Sequence, residues 1–389
     1  MSGFPRIVGS RCLHTRRENL PASVRGELRG EEVNIVVMQN VTPVAMAALG
    51  LELVPAVVFG LAAERVARSV QRWPVPVRVG LPALFVFPYV LVACAQGIFL
   101  WKWFALYAGL PVVVAWLLDR AAAADPEQRG NWRDGMILLT LGLAVDLRWF
   151  ESAWPAGLRA LNELLLVDVG LYGFLAIRRL SGTGFDFCPH WGRKASSGKT
   201  SDSSATDTSG PEGLRAAPSE HRYGTAEGRA LPEPTNLPQS TKAAAFSDCK
   251  IGLRELLFLT PPVLILGLAL GFIHPHRSLL AGNLAGVGWA ALRWVGIFFF
   301  TAVPEELFFR AWVQNLLERR VGRRAALGIA SVVFGLSHFN KRSAHFNWRY
   351  VLLATIAGIF YGRAWREQRR VPASAITHTC VDWIWSMWF

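Results

Sequence analysis

The stretch Pro304-Glu305-Glu306-Leu307-Phe308-Phe309-Arg310 sets two carboxylates and a guanidinium inside a run otherwise apolar enough to lie in a bilayer. An ionisable side chain at the centre of a membrane helix costs roughly 2.5–3.5 kcal/mol even on the lenient insertion scale. Charges placed this closely have to pair with one another or line a wet cavity. On a helix, Glu306 and Arg310 are four apart with the acid toward the N-terminus, the favoured order for an ion pair. Glu305 projects about 100° away and stays free of that pair. The two adjacent glutamates thus divide into a structural acid, Glu306, and a chemical one, Glu305. Pro304 breaks the backbone hydrogen bonding just before them, which opens a place for water.

Two further clusters follow in the same C-terminal third. Phe334-Gly335-Leu336-Ser337-His338 ends an apolar run on an imidazole, which when neutral accepts a proton or binds a metal. His378-Thr379-Cys380-Val381-Asp382 sets a histidine and a carboxylate four apart, so the carboxylate can fix the tautomer of the ring. Ser337 beside His338 and Cys380 beside His378 suggest nucleophilic dyads. Neighbouring side chains on a helix diverge by about 100°, however, and no Gly-x-Ser-x-Gly elbow is present. Acid and imidazole groups gathered in a hydrophobic protein are equipment for moving protons on and off water, so the reading is hydrolysis within a membrane.

The composition agrees. Of the 389 residues 52% are hydrophobic and only 18% charged, where a soluble domain carries about 25% charge. Ten apolar stretches, at 41–63, 79–100, 103–118, 135–147, 160–177, 256–273, 287–303, 325–338, 350–363 and 373–389, predict an all-α polytopic transmembrane bundle of about 8–10 helices. A comfortable span takes about 20 residues, so the short stretches 135–147, 325–338 and 350–363 are expected to tilt or re-enter. Residues 1–37 are polar and arginine-rich, expected to be disordered or an overlong start with Met38 as initiator. Residues 38–180 read as N-terminal transmembrane helices. Residues 181–250, rich in Ser, Thr, Gly, Pro and charge, read as a disordered linker. Residues 251–389 carry every motif and read as the catalytic transmembrane domain.

The net charge of +13 comes from short arginine clusters between apolar runs rather than one soluble basic face, which argues against a nucleic-acid partner. Arg65, Arg68, Arg72 and Arg78 follow the first span, Arg120, Arg129 and Arg133 the third, and Arg178 and Arg179 close the fifth. Arg319, Arg320, Arg323 and Arg324 follow the carboxylate helix, and Arg363, Arg366, Arg369 and Arg370 precede the last. With ten spans these all fall on one side, which the positive-inside rule makes cytoplasmic together with the linker. A multi-pass protein of the cell membrane, in bacteria the inner membrane, is the expected location. The cysteines Cys12, Cys94, Cys188, Cys249 and Cys380 show no C-x-x-C pair, and Cys188-Pro189-His190 offers too few ligands for a structural zinc.

The three motifs in this order resemble the CAAX protease and bacteriocin-processing (CPBP, or Abi) family of intramembrane glutamic endopeptidases. The family pattern is Glu-Glu-x-x-x-Arg, Phe-x-x-x-His and His-x-x-x-Asn or Asp, and the resemblance covers roughly residues 255–389. It implies that Glu305 and His338 activate a water against a scissile carbonyl. It also implies that His378 and the residue four later stabilise the oxyanion, with Glu306 and Arg310 in support. That residue is Asp382, where the CAAX endopeptidases have Asn, and an ionised Asp has no proton to donate. Asp382 therefore either stays protonated or only orients His378. No cofactor is expected on this reading. The same Glu305, His338 and His378 also form a two-His, one-Glu zinc set with bound water as nucleophile. A non-enzymatic scaffold or transporter, its buried charges a structural network or ion path, is the reading from another class. The expected partners are the lipid bilayer and a membrane-bound protein or peptide substrate, prenylated or otherwise anchored.

Overall fold

The computed structural model of the chain describes residues 42–185, 241–274, 284–341 and 345–389. The expectations for residues 1–37, the Met38 start, Cys12, the Cys188–His190 pair and most of the linker lie outside the described residues.

Each of the ten apolar stretches forms a helix, and no strand occurs among the described residues. They are α1 (Pro43–Gln71), α2 (Val75–Ala95), α3 (Trp101–Ala124), α4 (Trp132–Asp146), α5 (Ala160–Ile177), α6 (Thr241–Ala269), α7 (Gly286–Val321), α8 (Arg323–Leu336), α9 (Trp348–Gln368) and α10 (Val371–Trp388). Local chemistry sets several ends. Thr42 caps α1 by accepting from the Ala45 amide at 3.1 Å, and Asn131 with Asp134 forms a reciprocal capping box at the start of α4. Helices α1, α2, α3, α5, α6 and α7 are long and apolar enough to cross a membrane. At 15 and 14 residues, α4 and α8 fall short of a hydrocarbon core about 30 Å thick. The fold is an all-α polytopic bundle.

One boundary differs from expectation. Helix α6 begins at Thr241, inside the stretch read as linker. Ala243, Ala244 and Ala245 are strong helix formers, and Asp248, whose charge suggested solvent, receives Arg370 Nε on both carboxylate oxygens at 2.9 Å. A tertiary ion pair, invisible to local composition, pulls this segment into the bundle. The other end of the linker is also built in. Ser181–Phe185 lies as a strap across the ends of α7 and α9. The Ser181 carbonyl accepts from Asn315 Nδ2 at 2.8 Å, that of Thr183 from Trp365 Nε1 at 3.2 Å, and that of Gly184 from the Val371 amide at 3.0 Å. Gly184 has φ +68, and a Cβ there would overlap the Arg369 carbonyl, so only glycine fits.

The strap belongs to one arginine-rich face. Arg178 reaches Asp125 at 2.5 Å and Asp134 at 3.0 Å, Arg319 donates to the Gln128 carbonyl at 3.0 Å, and Arg369 pairs with Glu318 at 2.5 Å. The ends of α3, α5, α7 and α9 thus meet on one side, as the span count requires. At the opposite end, Asn340 after α8 donates to the Asp146 carbonyl at the end of α4 at 3.1 Å.

Helix α7 runs between the two halves. Leu307, Ala311, Trp312 and Leu316 on one side join the large apolar core of α1–α5, and Trp312 stacks on Phe174 of α5 at 5.1 Å. On the other side Phe309 meets Phe334, Ala354, Ala357 and Tyr361 in a second core. The α7 backbone is widened at Phe298–Ala302 and Leu307–Gln314 into i→i+5 turns, with a short α-helical piece holding Pro304, Glu305 and Glu306 between them. Proline lacks the donor and crowds the carbonyl four residues back. A widened turn relieves that crowding without breaking the helix, and such turns recur at functional sites.

Candidate active site

The geometry starts from Glu306. Its side chain is wholly buried, and both oxygens are engaged: Oε2 accepts from Arg310 Nε at 2.9 Å, and Oε1 lies 2.9 Å from His378 Nδ1. One acid thereby ties α7 to α10. The Arg310 guanidinium has no further hydrogen-bond partner for Nη1 or Nη2 among the described residues. It lies instead over the Phe334 and Tyr361 rings, 5.2 and 6.0 Å from their centroids, where π faces attract a cation.

Glu305 is placed differently. Its side chain is 24% exposed, with Oε2 3.8 Å from His378 Nε2 and Oε1 3.7 Å from Lys341 Nζ. These are longer than charge-assisted hydrogen bonds, about 2.7–2.9 Å, so Glu305 is held more loosely than Glu306. His378 is gripped from both edges, since Nε2 also lies 3.5 Å from Asp382 Oδ2. Tyr361 stacks flat on the same ring at 4.6 Å and 15°. A ring with a carboxylate at each nitrogen can donate from both.

His338 stands just past the end of α8. Its Nδ1 is 2.9 Å from the Phe334 carbonyl, which fixes the proton on Nδ1 and leaves Nε2 as the acceptor. The ring packs against Phe334 at 4.9 Å and Tyr350 at 4.8 Å. Phe334 in turn meets the His378 ring edge-on at 5.7 Å. Gly335 lets α8 approach α9: a Cβ there would run into Thr355 and lie 2.6 Å from the Val351 carbonyl. The Phe-x-x-x-His spacing therefore brings His338 to the same centre as His378.

One local expectation needs correction. The divergence of helix neighbours was to keep Ser337 away from His338, yet Ser337 Oγ lies 3.2 Å from His338 Nδ1. The chain leaves the helix at Ser337 and turns, so the helical angle no longer applies. Ser337 Oγ donates to the Phe334 carbonyl at 2.8 Å, and it faces the protonated nitrogen of the ring, so the pair lacks the geometry of a nucleophile and its base.

Two cavities meet this cluster. The first, about 390 Å³, runs between α1, α4, α5 and α7 past Met46, Leu141, Leu164 and Phe308 to a polar end at Glu305, Ser337, Lys341, Asp146 and Glu163. The second, about 240 Å³, opens among α6, α9 and α10 and is lined by His338, Tyr361, His378 and Asp382. The six site residues expected from sequence thus share one centre. Lys341, Tyr361, Asp146 and Glu163 were not expected there.

Residues 287–384 match the family model described as Rce1-like, type II CAAX prenyl endopeptidase Rce1-like. This part of the chain is similar to an Rce1-like domain. It spans α7 to α10 and holds all six site residues, consistent with the CPBP resemblance. Helices α1–α5, of which α1, α4 and α5 wall one side of the larger cavity, lie outside the matched residues. The chain matches no curated protein and no solved structure. The Rce1-like domain implies a protease, in a bundle built to lie in a membrane.

Proposed function

We propose that this chain is an intramembrane endopeptidase that cuts a membrane-associated or prenylated protein by water activated on Glu305 and His338. The observation that carries the reading is the unequal state of the two glutamates: Glu306 is saturated by Arg310 and His378, while Glu305 alone faces the larger cavity. A carboxylate held loosely at the polar end of an apolar cavity suits a general base, which contributes about 10²–10⁴ in rate. The apolar walls suit a lipid chain, such as the prenyl group on the cysteine of a C-a-a-X terminus. A chain lying there brings the adjoining peptide to Glu305. His378, oriented by Glu306 and Asp382, polarises the site.

The zinc alternative asks Glu305, His338 and His378 to converge on one ion. Both nitrogens of His378 already face carboxylates, and no three His, Cys, Asp or Glu side chains among the described residues gather as ligands would. Metal analysis of the purified protein and its sensitivity to chelators discriminate the two readings. With the arginine-rich face in the cytoplasm, the reading is a multi-pass protein of a cell membrane, for a bacterium the inner one. Comparing the membrane proteomes of cells carrying the wild type and Glu305→Gln tests the activity. The expected result is a C-terminal or leader cleavage present only with the wild type. Identical proteomes would return the chain to the scaffold or transporter class.

A further inference from the structure

If Asp382 is the orienting carboxylate, the site has one oxyanion donor fewer than the CAAX endopeptidases it resembles, and the larger cavity holds a cation beside Glu305. Glu305 lines the larger cavity, and so does Lys341; His378 and Asp382 line the other one. A peptide approaching Glu305 through the larger cavity therefore meets an ammonium on its own side, 3.7 Å from the Glu305 carboxylate. The lysine is held in place by its backbone. Its amide donates to the His338 carbonyl at 3.2 Å, and its carbonyl accepts from Asn347 Nδ2 at 3.2 Å. The turn is anchored across the bundle by Asn340 on Asp146. Burial by itself would lower the pKa of Lys341, but the carboxylates of Glu305, Asp146 and Asp382 outweigh it and hold the amine above the ordinary lysine range. These neighbours favour the charged form of the amine.

We infer that Lys341 is a catalytic residue, the donor that stabilises the oxyanion on the cavity side of Glu305. The inference rests on the proteolytic reading above. In the step it serves, the oxygen of a water bonds to the scissile carbonyl carbon while Glu305 takes one of the water's protons. The carbonyl π pair moves onto its oxygen, which becomes the oxyanion beside the Lys341 ammonium. When that pair returns, the carbon–nitrogen bond breaks, and the proton on Glu305 passes to the departing amine. Fixed charge aimed at the developing oxyanion is worth about 10²–10³ in kcat for one donor. The Glu305–Lys341 pair of the free enzyme holds the ammonium near its place before substrate arrives.

The test uses the full-length protein in nanodiscs and a fluorogenic farnesylated peptide carrying a tripeptide beyond the modified cysteine. Wild type, Glu305→Gln, Lys341→Met and Lys341→Arg are compared across pH. Lys341→Met should lower the plateau of kcat by about 10²–10³ with KM little changed, and Lys341→Arg, which keeps the charge, should retain more than Met does. A phosphinate peptide with a tetrahedral anion in place of the scissile carbonyl should bind Lys341→Met more weakly by a similar factor. If Lys341→Met keeps the wild-type plateau, with or without a shift of the acid limb, the lysine only pairs with Glu305 and the inference fails. If the wild type does not cut, or Glu305→Gln cuts as well as it does, the failure lies in the function and not in Lys341.

Discussion

Adjacent glutamates with the same side chain end in opposite conditions because a helix turns about 100° per residue. Glu306 points into the bundle and meets Arg310 and His378. Glu305 points along the cavity and meets only long contacts. Glu305→Gln preserves size and hydrogen bonding but removes the proton acceptor, so cleavage should fall by about 10²–10⁴ with folding unchanged. Glu306→Gln leaves Arg310 buried and unpaired, a loss of about 3–5 kcal/mol, and should appear as low folded yield on size-exclusion chromatography. A well-folded but dead Glu306→Gln beside an active Glu305→Gln would reverse the roles. Asp382 is held to one edge of His378 at 3.5 Å. As an orienting carboxylate, it should tolerate Asn, which still accepts from the ring, with partial activity, whereas Asp382→Ala should lose most of it. Were Asp382 itself the neutral donor, Asp382→Asn would equal or exceed the wild type, increasingly so at higher pH.

At the scale of elements, the ten helices were legible because each must present a long apolar surface, and that leaves a mark in the sequence wherever it occurs. The three motifs were legible for a related reason: Glu306 with Arg310 and His378 with Asp382 are spaced by one helical turn, so their pairing is local. Less was legible where partners come from afar. Lys341 lies in a polar turn and reads as a loop charge; only the packing of α8 beside α7 brings it to Glu305. The first turns of α6 read as linker because the partner of Asp248, Arg370, is distant in the chain. Tyr361 carried no signal at all, an aromatic among apolar neighbours whose ring happens to stack on His378. The α8–α9 approach offers a clean test of how the elements set the site. Gly335→Ala forces the helices apart, should cost about 1–3 kcal/mol, and should lower activity because His338 stands three residues further on. Gly328→Ala in the same helix meets nothing within 4 Å and should leave melting temperature and turnover close to wild type.

At the scale of the whole molecule, α7 joins the two halves: one side closes the core of α1–α5, the other packs into the second core beside the candidate site. Of the helices outside the matched residues, α1, α4 and α5 supply walls of the cavity that ends at Glu305, and on the proposed function they belong to the working enzyme. The clustering of arginines at the ends of α3, α5, α7 and α9 orients this assembly. Protease added to inside-out vesicles should cut the 186–240 segment, and protease added to intact spheroplasts should not; cleavage in spheroplasts would invert the bundle. The most direct measurement is made on the purified protein. Wild type and Glu305→Gln, reconstituted in nanodiscs, are incubated with a farnesylated C-a-a-X peptide, and the products are read by mass spectrometry. The wild type should release the terminal tripeptide by a single cut that incorporates oxygen from labelled water, and Glu305→Gln should release little or none. Equal release by both proteins would contradict hydrolysis by Glu305-activated water.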